Sequence, residues 1–130
     1  MQKRTIDPWK WAEGTNSVQA VEIKQCEGTL YCSGQVAIDA NGIPSSGNMR
    51  EQFIQTTQNL EQLIKESGYE CNGIVRLNVY TTSTNEFFSS CVDLYQGWIQ
   101  KHNIKQATTL IEVAGLFAGL TIELEATVVK

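Results

Sequence analysis

The sequence predicts an α+β fold in which helices lie on one face of a mixed β-sheet, and three observations lead to this prediction. Apolar and polar residues alternate without a break from Leu120 to Val128, which is the period of a half-buried strand. The segments that follow Asn48 and Ser83 instead carry apolar residues at the spacing of an amphipathic helix. A further strand lies between those helices, so each helix must cross from one strand to another. Crossovers of this kind favour a two-layer sandwich.

The composition is that of one globular domain covering residues 1–130. A chain of 130 residues can bury roughly two-thirds of its unfolded surface, so the fold needs no disulfide or metal to hold it. The formal net charge is −4, whereas surfaces that bind nucleic acid are usually basic. We therefore expect no nucleic-acid partner.

No apolar run has the form of a signal peptide or is long enough to span a membrane. We therefore expect a cytoplasmic protein with reduced cysteines. The cysteines form no Cys-x-x-Cys pair and the single histidine, His102, lies far from them in the sequence, so no metal site is expected. We expect His102 to be a polar group at a helix end. The residues expected to be small buried hydrophobes are Cys26, Cys32, Cys71 and Cys91.

The N-terminal part of the chain is predicted to form a β-hairpin. Residues 18–23 and 29–38 have the composition of its two strands, with a turn at 27–28. Trp9 and Trp11 precede the hairpin, and we expect them to cover an apolar edge rather than to bind a ligand.

Ser33 and Gly34 lie inside the second predicted strand. A glycine within a strand often marks a bulge, or a close approach by another backbone or by a ligand. The alternative interpretation is that the glycine only meets a local packing constraint. Both interpretations remain open for this pair.

Two amphipathic helices are predicted from their apolar spacing and their ends. Asn48 has the side chain of an N-cap, with Glu51 three residues later, and the first helix should end at Gly68. Ser83 repeats the capping pattern at the start of the second helix, which should end near His102.

Residues 74–81 are predicted to form a strand whose Val75, Leu77 and Val79 face the helices. The opposite face of the sheet is then left without a covering layer. Because symmetric self-association is the usual way to cover such a face, we expect an oligomer. The residues expected on this uncovered face are Arg76, Asn78, Tyr80, Glu123 and Glu125.

The chain is predicted to end in a second hairpin, with strands at 108–116 and 120–128 joined by a turn at 117–119. Carboxylates on a strand are usually hydrated and protect a sheet edge from pairing, and the alternative is that they line a pocket. The carboxylates of this hairpin are Glu112, Glu123 and Glu125.

Four segments of the chain match the pattern of one known family. They are Ser17-Val18-Gln19-Ala20-Val21, Leu30-Tyr31-Cys32-Ser33-Gly34-Gln35, Val75-Arg76-Leu77-Asn78-Val79-Tyr80, and Glu112-Val113-Ala114 with Ile122-Glu123-Leu124-Glu125-Ala126. In their order and spacing they resemble the Rid family, also called YjgF/YER057c/UK114. The resemblance extends over roughly Val18 to Lys130.

The resemblance implies a single Rid-like domain with a chorismate-mutase-like fold, a two-layer sandwich with a mixed six-stranded sheet and two helices on one face. It also implies a homotrimer whose sheets form a central barrel and whose clefts between subunits bind small carboxylates. Similar proteins hydrolyse reactive enamines and imines, such as 2-aminoacrylate, to keto acids and ammonia without a metal or organic cofactor. The glutamate that polarises the attacking water corresponds to Glu123, and the glycine of the substrate-binding strand to Gly34.

Three positions depart from the pattern of the family. Thr108 stands where an arginine binds the substrate carboxylate, just before the strand that ends in Glu-Val-Ala. Leu110 stands where a cysteine is frequent, and Ser17 replaces a tyrosine that precedes the first strand. A guanidinium holds a carboxylate by two charge-assisted hydrogen bonds, whereas a threonine hydroxyl provides one neutral donor. We therefore expect deamination of 2-aminoacrylate to be weak or absent.

Two functions remain open. In the first, the protein is an enamine or imine hydrolase with a changed substrate, in which Glu123 activates water and the Gly34 amide and Thr108 hydroxyl hold the substrate. In the second, it is a non-catalytic homotrimer that binds a small carboxylate metabolite or acts as a scaffold. The negative net charge and the single histidine do not favour a ribonuclease. The candidate site residues are Ser17, Ser33, Gly34, Arg76, Thr108, Leu110 and Glu123.

Overall fold

The computed structural model describes all 130 residues and confirms the α+β class. Strands and helices follow the sequence periods closely in the middle of the chain and less closely at its ends. In chain order the elements are β1 (Gln2–Ile6), β2 (Ala20–Lys24), β3 (Thr29–Tyr31), α1 (Met49–Glu66), β4 (Ile74–Thr81), α2 (Thr84–Ser90), α3 (Val92–Lys101), β5 (Ala107–Glu112) and β6 (Ile122–Val129).

The six strands form two separate sheets. The larger sheet has four strands in the order β3-β6-β4-β5, with β4 and β5 parallel and the other neighbours antiparallel. Strands β1 and β2 form a two-stranded antiparallel sheet of their own. The implied sheet is therefore mixed as expected, but a single six-stranded sheet is wrong for this chain.

Neither predicted hairpin is present. Strand β2 pairs with β1 instead of with β3, and β3 pairs with β6 from the far end of the chain. Strand β4 lies between β5 and β6, so the two C-terminal strands do not touch as a pair. A period of two shows which residues share a face of a strand, but it carries no information about the neighbouring strand.

Helix α1 begins and ends where the sequence predicts. The Asn48 side chain accepts a hydrogen bond of 2.9 Å from the Glu51 backbone N–H, which satisfies one of the free donors of the first turn. Gly68 follows the helix with a φ of +79°, a conformation that favours glycine. The apolar stripe of α1 lies against the sheet and is buried at Met49, Phe53, Leu60 and Ile64.

The second predicted helix is divided into α2 and α3 at Cys91, where φ is −125° and ψ is −15°. Its N-cap is as predicted, because Ser83 Oγ accepts a 3.1 Å hydrogen bond from the Glu86 N–H. Cys91 takes part in the hydrogen bonds of both helices, because its N–H donates to the Phe87 carbonyl and its carbonyl accepts from the Tyr95 N–H, each at 2.9 Å. The division is therefore a local bend in one helical path.

The core lies between the helices and one face of the larger sheet. The side chains that β4 and β6 direct towards the helices are fully or almost fully buried, and each large aliphatic one contributes about 1.5–3 kcal/mol to folding. No helix covers the other face, which confirms the predicted open face. The residues that form the core side of these two strands are Leu77, Val79, Ile122, Leu124, Ala126 and Val128.

Three predictions about individual side chains have mixed outcomes. Trp9 and Trp11 do not cover an apolar edge: they are 52% and 71% exposed and stack on each other with ring centroids 5.7 Å apart. His102 follows the last residue of α3, as expected, and its Nε2 lies 2.9 Å from Glu61 Oε1. The four cysteines are unpaired, but Cys26 is exposed instead of buried.

None of the helices combines the length and the apolar character that crossing a membrane requires.

Candidate functional site

Strand β3 loses its regular pairing with β6 at Ser33 and Gly34. The ladder is regular as far as the Cys32 N–H, which donates to the Ala126 carbonyl at 2.9 Å. Pairing resumes between Gln35 and Leu124, so two residues of one strand, Ser33 and Gly34, lie opposite the single residue Glu125 of the other. The extra residue forms a β-bulge. A bulge is one of the structures that the glycine inside the predicted strand indicated.

The side chain of Glu123 lies directly over the bulge. A Cβ atom added to Gly34 would be 2.6 Å from Glu123 Oε2 and 2.7 Å from its Cδ. Position 34 therefore has space for the carboxylate only because it has no side chain. The Gly34 N–H donates to no backbone or side-chain acceptor of the chain.

Two glutamates lie on the same face of β6 in different environments. Glu125 Oε1 accepts a 3.0 Å hydrogen bond from the Asn78 amide and another of 3.0 Å from the Tyr80 hydroxyl, which fix its orientation. Glu123 is half-buried and has neither a hydrogen-bond partner nor an ion-pair partner. One carboxylate is thus held by neutral donors, and the other is free to exchange protons.

Burial raises the pKa of the Glu123 carboxyl above its ordinary value, and the nearby charge of Glu125 raises it further. The hydrogen bond to Glu125 raises the pKa of the Tyr80 phenol, so Tyr80 remains a donor at neutral pH. Two carboxylates whose environments differ in this way are typical of acid–base sites.

A buried glutamine joins the start of β6 to helix α1. The Gln52 side chain is 4% exposed, and its Oε1 accepts hydrogen bonds of 2.8 Å from the Thr121 N–H and 3.0 Å from the Thr121 hydroxyl. Its Nε2 donates to the Gly47 carbonyl at 3.0 Å. These bonds fix the backbone two residues before Glu123.

Thr108 and Leu110 lie on the other face of the sheet. Thr108 is in register with Leu77, and Leu110 with Val79, and both partners are core residues that face the helices. With α2 and α3, the two β5 residues line a cavity of about 440 Å³. Its lining consists of Gly14, Thr15, Asn16, Ser17, Val79, Phe87, Phe88, Val92, Tyr95, Thr108 and Leu110, none of which is charged.

Ser17 reaches this cavity because the loop before β2 is tied to the start of β5. The Val18 N–H donates to the Gln106 carbonyl at 2.9 Å, and Gln106 Nε2 donates to the Asn16 carbonyl at 2.9 Å. Asn16 has a φ of +60°, a left-handed conformation that asparagine tolerates better than most residues. The bend turns Ser17 towards the cavity, where its hydroxyl lies 3.2 Å from that of Thr15.

Gln106 also organises the hydroxyl groups of the cavity. Its Nε2 lies 3.0 Å from Thr108 Oγ1 and 3.1 Å from the Tyr95 hydroxyl oxygen. Its Oε1 is buried and has no partner. Burial raises the pKa of Tyr95, and hydrogen bonds from Thr108 and Gln106 act in the opposite direction.

The predicted site residues therefore form two groups within one chain. Ser17, Thr108 and Leu110 line the cavity on the helix side of the sheet. Glu123 lies on the open side with Ser33 and Gly34, since its register partner is Tyr80 and not a core residue. The remaining candidate, Arg76, is exposed on the open side and has no ion-pair partner; its register partner is Thr127, four residues along β6 from Glu123.

Sequence reasoning missed Gln106 and Tyr95. In the sequence Tyr95 has the spacing of the apolar stripe of the second predicted helix, and no pattern distinguishes Gln106. Gln106 is fully buried although it is polar, and its position just before a strand that starts Ala-Thr-Thr offered no signal of burial. The burial of Gln106 becomes evident only in the folded structure, where the loop at Asn16 packs against the Gln106 side chain.

Comparison with known proteins agrees with this architecture. The chain is similar to the 2-iminobutanoate/2-iminopropanoate deaminase of Mus musculus, with 30% identity over 113 residues that cover 86% of this chain and 79% of the relative. It is 28% identical to a RutC family protein of Aquifex aeolicus over 116 residues, which cover 86% of each chain. The crystal structure of YyfB from Yersinia pestis, a conserved Rid family protein, superposes with a TM-score of 0.84 at 28% identity and covers 100% of both chains.

A family model described as Endoribonuclease L-PSP, the YjgF or Rid family, matches residues 14–130. This match includes both groups of candidate residues and all of the larger sheet. Because the model covers most of the chain and the relatives and solved structures point the same way, the protein belongs to the Rid family.

Proposed function

We propose that this protein hydrolyses a small enamine or imine to a carbonyl compound and ammonia, with a substrate that differs from 2-aminoacrylate. The observation that carries the proposal is the state of Glu123: half-buried, without a partner, with a raised pKa, and packed against Gly34, whose N–H has no acceptor. Similarity to the 2-iminobutanoate/2-iminopropanoate deaminases of Mus musculus and Salmonella typhimurium supports the reaction class.

In the proposed reaction an enamine first tautomerises to the imine. Glu123 then accepts a proton from water as the water oxygen bonds to the imine carbon, and the imine nitrogen gains that proton. The resulting carbinolamine loses its hydroxyl proton by way of Glu123, the carbon–nitrogen bond breaks, and ammonia leaves. Imine and water are thereby converted to carbonyl compound and ammonia. In this proposal the Gly34 N–H, which has no acceptor within the chain, donates to the oxygen that develops negative charge.

The proposal includes a homotrimer with sites between subunits. Glu123 and the cavity at Thr108 lie on opposite faces of one sheet, so the two can act on one substrate only if they come from different copies of the chain. The cavity adjoins β5, which is the edge strand of the sheet and is accessible to a neighbour. Light scattering should report a trimer, and a stable monomer at micromolar concentration would contradict the shared site. We also place the protein in the cytoplasm, which its four unpaired cysteines fit.

Ammonia release from small imines, generated in situ by oxidation of amines and amino acids, tests the activity. Glu123→Gln should lower the rate by about 100-fold or more, because the amide cannot accept the proton. Glu125→Gln is the matched control on the same strand face and should lower it less than 10-fold, roughly the effect of a weakened hydrogen bond. Equal losses in the two variants would exclude Glu123 as the specific base.

A second candidate is a trimer that binds a small metabolite without catalysis. It is favoured by Thr108, which stands where the resemblance places the carboxylate-binding arginine, and by the uncharged cavity lining. This candidate predicts saturable binding of small molecules with no ammonia release from any imine in the panel. Activity that depends on Glu123 would contradict it.

A further inference from the structure

The cavity at Thr108 has a chemical character that the family resemblance does not account for. None of its eleven lining residues carries a charge, and six of them are apolar or aromatic. A carboxylate that enters such a space loses its hydration and gains no cation from these residues, which costs several kcal/mol. An uncharged ligand does not meet this cost.

The hydroxyl groups of Tyr95 and Thr108 supply the polar end of the cavity. The Asn16 carbonyl can only accept, so it fixes Gln106 Nε2 as the donor of that contact, and the same nitrogen faces the two hydroxyl oxygens. The Asn16 carbonyl takes one of the two hydrogens on Nε2, so a single hydrogen is left for the two hydroxyl oxygens. Because Nε2 is not an acceptor, both hydroxyls keep their own hydrogens. If one hydroxyl donates to the other, one hydrogen still remains for a ligand, since neither donates to a carbonyl or a carboxylate of the chain.

The apolar part of the cavity suits a flat or branched carbon group. Phe87 and Phe88 are tilted against each other with ring centroids 5.7 Å apart, and Val92 and Leu110 complete this wall. The volume of about 440 Å³ lies within the range of small-molecule sites. An acceptor atom at one end and an apolar body at the other would satisfy both parts of the lining.

Building on the proposed function, we infer that the ligand of this site is an uncharged molecule with an apolar body and a carbonyl or imine acceptor, which the Tyr95 and Thr108 hydroxyls bind. The substrate class is then an imine or enamine without a carboxylate next to the reacting carbon. The departure at Thr108 is accordingly a change of ligand and not a loss of the site.

Benzamide and benzoate are a suitable pair of probes, because they share size and shape and differ in charge. Titration calorimetry or ligand-observed NMR on the full-length protein should show benzamide binding at least about 10-fold more tightly than benzoate at pH 7. Equal affinity, tighter binding of benzoate, or no binding of benzamide would overturn the inference. This comparison uses the unmodified protein and does not depend on the folding of a variant.

Two variants assign the binding to the hydroxyls. Thr108→Val and Tyr95→Phe each remove one oxygen and keep the shape of the side chain, and each should weaken benzamide binding by about 2- to 10-fold, the range of one neutral hydrogen bond. Thr109→Val is the matched control, because Thr109 is the next residue of β5 and is exposed on the open face. If Thr109→Val weakens binding as much as the other two, or if neither hydroxyl variant does, benzamide is not bound as inferred.

Measurement of ammonia release beside the benzamide and benzoate titrations separates this inference from the proposed function. If the protein prefers benzamide but releases no ammonia, the inferred ligand class is supported and the proposed hydrolase activity is rejected. If the protein releases ammonia from 2-iminobutanoate and binds benzoate more tightly than benzamide, the hydrolase activity is supported and the inferred ligand class is rejected.

Discussion

Gly34 and Glu123 are packed so closely that the glutamate carboxylate occupies the space where a side chain at position 34 would begin. The contact joins a bulge in β3 to the middle of the open face of β6. Since the atoms involved belong to the flexible end of Glu123, a side chain at position 34 would displace the carboxylate more readily than the backbone.

Gly34→Ala should therefore reduce activity without unfolding the protein. The φ of Gly34 is not in the left-handed region, so alanine can adopt it, but the new methyl group would force Glu123 away from the Gly34 N–H. We expect ammonia release to fall by about 10-fold or more, since misplaced catalytic groups lose this much or more. The free energy of unfolding should fall by less than about 2 kcal/mol.

Gly97→Ala is the control for this substitution. Gly97 is exposed in α3 and an added Cβ would meet no atom within 4 Å. Alanine should stabilise the helix by about 0.5–1 kcal/mol and leave activity unchanged. Retention of full activity by Gly34→Ala would show that the position of Glu123 is not set by this contact.

Glu123→Gln should stabilise the protein at neutral pH. The folded state raises the pKa of Glu123, so the ionised carboxylate opposes folding, and its cost is present above the folded pKa. As the pH falls through the ordinary glutamate pKa, about 4.3, the parent becomes protonated in both states and the difference between parent and variant should vanish. Urea unfolding at pH 7 and pH 4, at one protein concentration, measures this difference.

Glu13→Gln, which changes an exposed carboxylate outside the site, should show no comparable dependence on pH. An advantage of Glu123→Gln that grows towards low pH would mean that the folded state lowers the pKa of Glu123 instead of raising it.

Thr108→Arg should increase affinity for small carboxylates. The cavity has space beside Thr108 and no cation of its own, so a guanidinium there would form charge-assisted hydrogen bonds to an anion. We expect pyruvate and 2-oxobutyrate to bind about 10-fold more tightly than to the parent. Loss of the Gln106–Thr108 hydrogen bond should reduce stability by about 1 kcal/mol.

Thr109→Arg places the same charge on the open face and should not increase this affinity. The double variant Thr108→Arg with Glu123→Gln should keep the gain in affinity and lose any gain in turnover. If the Thr108→Arg protein folds but binds 2-oxobutyrate no better than the parent, Thr108 does not line the binding site.

Gln52→Leu should destabilise the protein by about 1–3 kcal/mol, because it leaves the Thr121 N–H and the Gly47 carbonyl without partners in a buried place. Gln58→Leu changes an exposed residue of the same helix and should shift stability by less than about 0.5 kcal/mol. Thermal unfolding of the two variants side by side makes the comparison. Equal stabilities would show that Gln52 does not hold the start of β6.

The sequence alone determined most of the secondary structure. The start of α1 at Met49 and the bounds of β4 follow from capping residues and from periods of 3.6 and 2, which are properties of a few neighbouring residues. The sides on which Leu77 and Val79 lie were also predictable, because alternation divides a strand into two faces without reference to its partner. At the start of β4 a bulge breaks the alternation, and Ile74 is the core residue there instead of the predicted Val75.

Only the tertiary structure decided which strands are neighbours. Both C-terminal strands were recognised, yet β4 lies between them, and β3 pairs with the last strand of the chain. Pairing depends on which apolar faces can be buried together over long distances in the sequence, and a local pattern does not contain that information.

The same distinction applies to the site. The family resemblance of the sequence proposed Glu123, Gly34 and Thr108 as candidate site residues. The register of β5 against β4 decided that Thr108 faces the helices while Glu123 faces outward. The burial of Gln106 was likewise decided by tertiary packing. Its hydrogen-bond partners are Asn16, in a loop 90 residues earlier, and Tyr95, in helix α3.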